Sequence, residues 1–163
     1  MSDKAVDYIE MKLPAKAEYV GVVRLTVSGV ANRVGYSYDD IEDLKIAVAE
    51  ACTNVVDHAY KQNGLMALGC SVFKDKIEIV VSDNGQSFNF DDLKKGLGPI
   101  DGKKPIGELE EGGLGLFLID SLMDKVEINR ESGVAIVMTK FLQRDEVEQN
   151  ANGVPAPTNA QKQ

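Results

Sequence analysis

The chain has 163 residues, roughly one domain at about 150 residues each and long enough to bury about two thirds of the surface its unfolded form exposes. With 26 acidic against 18 basic residues, a formal charge of -8, it is not a general binder of nucleic-acid backbone. An apolar content of 44% and a charged content of 27% exclude wholesale disorder and a collagen-like or coiled-coil rod, and no apolar run is long enough to span a bilayer.

Met1 to Lys12 carries charge at Asp3, Lys4, Asp7 and Glu10 and lacks an apolar core of signal-peptide length. The expectation is a protein kept in the cytoplasm. Loose alternation from Val6 to Leu13, stopped by Pro14, predicts a strand, and Glu18 to Val34 predicts a helix ending near Gly35. Ser37 is placed to cap a second helix, about Tyr38 to Gln62, with Asp39, Asp40, Glu42 and Asp43 where the helix dipole favours negative charge and Asn63-Gly64 closing it. Leu65 to Phe73 and Lys76 to Ser82, joined by Lys74-Asp75, predict a hairpin whose second strand ends at Asp83-Asn84-Gly85. Cys52 and Cys70 lie in apolar stretches without partners at metal-ligand spacing and read as buried thiols.

From Gln86 to Gly112 the pattern dissolves into glycine, proline and charge, the composition of a lid or binding loop. Leu114 to Met123 resumes helical spacing, and Val126 to Asn129 with Val134 to Leu142 predicts a last pair of strands around Glu131-Ser132-Gly133. Past Leu142 the chain turns polar and lacks an apolar face, which predicts a domain over 1–142 and a disordered tail over 143–163. The expected architecture is a two-layer α/β sandwich, a mixed sheet covered on one face by helices.

Three stretches carry chemistry. On the second helix, at about 100° per residue, Ile41, Leu44, Val48, Cys52, Val55 and Ala59 share one sector, while Glu50, Asn54 and Asp57 stack near the opposite side with His58 at its edge. Taken alone this is also how a solvated helix face looks. Asp83 stands where an apolar strand runs out; its carboxylate suits an exocyclic amino group such as adenine's, and Gly85 would let a ring approach the backbone, although Asn84-Gly85 is equally a plain turn signal. Gly112-Gly113-Leu114-Gly115-Leu116 opens an apolar helix and exposes backbone N–H groups to which the helix dipole adds, a means of holding phosphate without lysine, or else of packing a helix tightly. A P-loop, a dinucleotide-binding glycine motif and the large protein-kinase signatures are all absent.

In this order the stretches resemble the GHKL superfamily of ATPases and kinases, whose ATP site is the Bergerat fold. Glu50-x-x-x-Asn54-x-x-x-His58 is similar to its N box, Asp83-x-Gly85 to G1 and Gly113-x-Gly115-Leu116 to G2. Leu44 to Tyr60, the Asp83 turn and Gly112 to Asn129 resemble more narrowly the serine-protein kinase anti-sigma factors, over about Asp7 to Leu142. The resemblance implies an ATP-dependent serine kinase that sequesters a sigma-B-type general-stress sigma factor and phosphorylates a serine of an RsbV-type anti-anti-sigma protein. It implies ATP and Mg²⁺ as cofactors, Glu50 as general base and Asn54 as the metal's side-chain ligand. Nucleotide contacts would come from Asn54, Asp57, Asp83 and Gly85, and from Gly112, Gly113, Leu114, Gly115 and Leu116. A homodimer is implied as well, with no direct contact to nucleic acid or membrane. Arg24, which interrupts an apolar run on the first helix, is the candidate partner contact. The chain departs from the pattern at Ser87, where many relatives have a second G1 glycine, at Val134, where many have a threonine assisting adenine after a glycine, and at Glu111, where a sporulation relative is basic. Lys104 is the substitute contact for the γ-phosphate. The competing functions are a non-catalytic sigma-binding module that ATP merely orders, and a stand-alone ATPase.

Overall fold

The computed structural model describes residues 4–59, 64–83, 98–99, 111–129 and 133–143. The Asn84-Gly85 turn, most of the expected lid and the chain beyond Gln143 lie outside them. Among the described residues six strands, β1 (Asp7–Pro14), β2 (Leu65–Val72), β3 (Lys76–Ser82), β4 (Gly98–Pro99), β5 (Lys125–Asn129) and β6 (Ala135–Phe141), form one sheet in the order β1-β2-β3-β6-β5-β4. Helices α1 (Val20–Val34), α2 (Tyr38–Ala59) and α3 (Glu111–Leu122) make up the second layer, as expected for a two-layer sandwich.

The expectation of a mixed sheet is corrected, because every neighbouring pair runs antiparallel. Its cause lies in the connections. A single helix between strands returns the chain to the end where a parallel strand starts, whereas two successive helices return it to the end it left. Here α1 and α2 follow one another between β1 and β2. The chain leaves β1 at Ala15, whose N–H donates to the carbonyl of Gly64 at 3.1 Å just before β2 begins.

Local signals place the helices. The predicted first helix divides into a 3-10 turn over Ala17–Tyr19 and α1 proper. Helix α1 ends at Gly35 with φ 111, a left-handed cap open to glycine, and the N–H groups of Gly35 and Tyr36 both donate to the carbonyl of Ala31 at 3.1 Å. Ser37 caps α2 as expected, its Oγ accepting from the N–H of Asp40 at 3.1 Å. The alternation of the central strands sends Met66, Leu68 and Cys70, Ile77, Ile79 and Val81, and Ile136 and Met138 to the helices, all essentially inaccessible. Against them pack Val23, Val27 and Ala31 of α1 and Leu44, Val48, Cys52 and Val55 of α2, which is the sector the helical spacing singled out.

Burial raises both cysteine thiols from 9.0 to about 12. They stay protonated in the folded protein through the neutral range, so an alkylating reagent at pH 8 is expected to leave Cys52 and Cys70 unmodified over the time in which both react in urea. The raised value also fixes a sign: the thiols' contribution to stability is complete below pH 9, their unfolded value, and is lost as pH rises towards 12. Mass spectrometry of the alkylated protein, with and without denaturant, checks the first point.

Candidate active site

Burying one sector of α2 on the sheet fixes the direction of every other residue on that helix. Glu50 and Asn54, one turn apart, are thereby turned towards α3, which packs beside α2. Both are half-buried rather than solvated, so the polar ridge is not a free helix face. A Cβ placed on Gly115 of α3 would stand 3.0 Å from Oε2 of Glu50 and 3.2 Å from Nδ2 of Asn54. The glycine is what allows α3 to come this close. Asn54 Nδ2 donates to the main-chain carbonyl of Glu50 at 3.2 Å, which directs the amide oxygen away from the helix backbone. Asp57, a turn further on, is exposed, and the side chain of His58 lies outside the described residues.

The glycine motif sits differently from expectation. Helix α3 begins at Glu111 rather than Leu114, so Gly112 and Gly113 form its first turn instead of preceding it. Backbone N–H groups in a first turn have no partner within the helix, so their capacity to hold an anion is kept. Leu114 is exposed and Leu116 is half-buried against the core. Gly85 and Lys104 lie outside the described residues.

Asp83 directly follows β3, and the alternation that sends Ile77, Ile79 and Val81 to the helices carries it to the same side of the sheet. Its N–H donates to the carbonyl of Val134 at 3.1 Å, and its Oδ1 accepts from the N–H of Val134, also at 3.1 Å. Gly133, with φ +113, lies against this carboxylate: a Cβ there would collide with Oδ1 and stand 3.0 Å from Oδ2. In the sequence Gly133 is a turn glycine and Val134 a departure from pattern; a glycine at the foot of a strand is the signal present, and nothing local points from it to residue 83. Arg24 is exposed on α1, with exposed Val22 and Leu25 beside it.

Comparison with known proteins places this arrangement. Residues 13–140 match the family described as Histidine kinase-like ATPase domain. A protein of Halalkalibacterium halodurans named Serine-protein kinase RsbW is 64% identical over 154 residues, covering 94% of this chain and 95% of the relative. The chain belongs to the RsbW family of serine-protein kinases. Further RsbW proteins, from Bacillus licheniformis at 56% identity (89% of this chain, 92% of the relative) and from Bacillus cereus at 54% (90% and 92%), are similar over nearly the same extent. Among solved structures, the RsbU and RsbW domains of a Mycobacterium tuberculosis protein superpose with a TM-score of 0.60 at 19% identity, over 85% of this chain and 33% of that one, a likeness of fold. The narrowing from GHKL proteins to this family, drawn from Leu44 to Tyr60, the Asp83 turn and Gly112 to Asn129, is borne out.

Gly115 supplies a test that separates function from stability. Glycine inside a helix costs about 0.5–1 kcal/mol relative to alanine, and the groups its Cβ would meet are the mobile ends of Glu50 and Asn54. Gly115→Ala is expected to melt at the same temperature or higher while phosphoryl transfer falls at least tenfold, because both polar ends must move. Thermal unfolding and a kinase assay on the same preparation check this.

Proposed function

We propose that this RsbW-family protein is an ATP-dependent serine kinase and anti-sigma factor whose reacting groups are gathered around Gly115. The observation that carries the reading is the shared approach of Glu50 and Asn54 to that one glycine, in the opening turns of a helix whose first N–H groups have no acceptor within the helix and suit phosphate. Phosphoryl transfer asks for neutralised charge and an aligned nucleophile rather than covalent work by the protein. Glu50 would accept the proton of the incoming serine hydroxyl, Asn54 would offer its amide oxygen to a metal ion, and the first turn of α3 would hold phosphate oxygens. Asp83 would accept from the amino group of adenine.

Mg²⁺ fits this donor set. The amide oxygen of Asn54 is turned off the helix by the bond from Nδ2 to Glu50, and with the carboxylate of Glu50 nearby it makes an oxygen donor set of the kind a hard cation takes. When bound there through Asn54, the metal would neutralise charge on the phosphates, in keeping with its habit of taking one side chain and substrate oxygens. Glu50, on the same ridge but one turn away, would be left to move the proton.

The phosphate acceptor we assign is a serine of an RsbV-type anti-anti-sigma protein, which competes with a sigma-B-type sigma factor for the kinase. Phosphorylation would release the antagonist and leave the kinase to hold sigma. Arg24 amid exposed Val22 and Leu25 supports α1 as a surface offered to a partner. A homodimer, a cytoplasmic location, a role for Gly85 and Asp57 in the nucleotide site, and Lys104 as γ-phosphate contact complete the proposal. No helix among the described residues is long and apolar enough to cross a membrane.

Incubation with Mg-ATP and candidate acceptors, followed by mapping of the phosphorylated residue, is expected to give phosphoserine on the antagonist. Phosphate release that needs no protein acceptor would favour the ATPase, and ATP binding with neither product would favour the sigma-binding module. Glu50→Gln keeps the size and polarity of the side chain but removes the base. ATP affinity is expected to stay within about twofold while transfer falls by roughly 10²–10⁴; undiminished transfer would remove Glu50 from the mechanism.

A further inference from the structure

An antiparallel ladder closes a hydrogen-bonded pair by exchanging two bonds, each residue's N–H to the other's carbonyl. At the end of β3 this exchange is altered. Asp83 donates its N–H to Val134 in the ordinary way, but the return bond from the N–H of Val134 goes to the carboxylate oxygen Oδ1 instead of the main-chain carbonyl of Asp83. The side chain has taken the ladder position of its own backbone. The terminal torsion of an aspartate is otherwise broad, and here one oxygen is tied to the residue just before β6, a strand that is itself paired on both sides.

Gly133 makes the tie possible. Its φ of +113 is a region L side chains rarely adopt, and a Cβ would run into both carboxylate oxygens. Backbone conformation and available space thus each require glycine, and the atoms nearest the added Cβ are those of the Asp83 carboxyl group. A carboxylate oriented in this way can distinguish an amino group from a carbonyl or a hydrogen on the six-membered ring of a purine, since it can accept from the first and gains nothing from the others.

We infer that Gly133 and the N–H of Val134 are positioning elements that set nucleotide-base specificity by fixing the plane of the Asp83 carboxylate. This rests on the reading of Asp83 as the acceptor for adenine. Val134 contributes through its main chain, so the absence of a hydroxyl there costs the arrangement nothing.

The test compares ATP with purine riboside triphosphate, which lacks only the 6-amino group, by calorimetry on the full chain. The wild-type protein is expected to prefer ATP at least tenfold. Gly133→Ala adds the obstructing methyl, and Val134→Pro removes the donor at a position just before a strand, where proline is tolerated. Both are expected to reduce the preference to less than threefold while affinity for purine riboside triphosphate stays within about twofold, whereas damage that is merely structural would weaken both nucleotides together. Asp83→Ala, which removes the acceptor, is the control for the underlying reading: a wild type without preference, or a preference that survives Asp83→Ala, refutes adenine recognition by Asp83. A preference lost in Asp83→Ala but kept by either folded variant, or equal weakening of both nucleotides, overturns the positioning role alone.

Discussion

The rotation of α2 about its own axis is the constraint on which the remainder depends. Leu44, Val48, Cys52 and Val55 are fully buried on the sheet, and burial of each such side chain contributes about 1.5–3 kcal/mol. Turning the helix by one residue would expose most of that surface. The direction of Glu50 and Asn54 is therefore held by apolar packing many times stronger than any interaction the two polar groups make themselves. A site built this way needs little of its own energy to stay in place, which leaves its polar ends available to a ligand.

Strand β6 is the second fixed element, and it acts at both ends. Near its end Lys140 donates from Nζ to the carbonyl of Leu122 at the close of α3 at 2.8 Å and lies 3.8 and 3.9 Å from carboxylate oxygens of Asp40 and Asp43 in the opening turns of α2. The carbonyl of the same residue accepts from the hydroxyl of Tyr36, at 2.5 Å, in the link between α1 and α2. Just before the strand begins, Val134 holds Asp83. One strand thus relates the two helices that meet at Gly115 to the carboxylate that follows β3. Displacement of β6 would be felt by all three.

Much of this was legible because it is local. Ser37, the acidic first turn of α2 and Gly35 mark helix ends by their own chemistry, and the apolar spacing of α2 identified its buried side residue by residue. What was misread depends on partners distant in sequence. The sheet was expected to be mixed because strand direction follows from how many helices intervene and which strands become neighbours, neither of which a strand records in its own residues. Helix α3 was expected to start at Leu114 because Gly112 and Gly113 are poor helix formers; packing beside α2 overrides that preference. Asp83 and Val134 are 51 positions apart, so the reason for Gly133 could not be read from its surroundings.

Gly115 and Gly133 turn out to answer the same steric demand in different secondary structure. Each lies against an acid, Glu50 in one case and Asp83 in the other, so closely that a single methyl group would crowd a carboxylate oxygen. Gly133 also needs a positive φ, so its backbone alone would have selected glycine. Gly115 has no such excuse, since it sits within a helix where alanine is the favoured small residue. A residue that weakens its own helix without being required by backbone geometry must be explained by what it touches, and what it touches is the pair Glu50 and Asn54. The motif glycine therefore sets the distance at which Glu50 and Asn54 on one helix can face the opening turns of another.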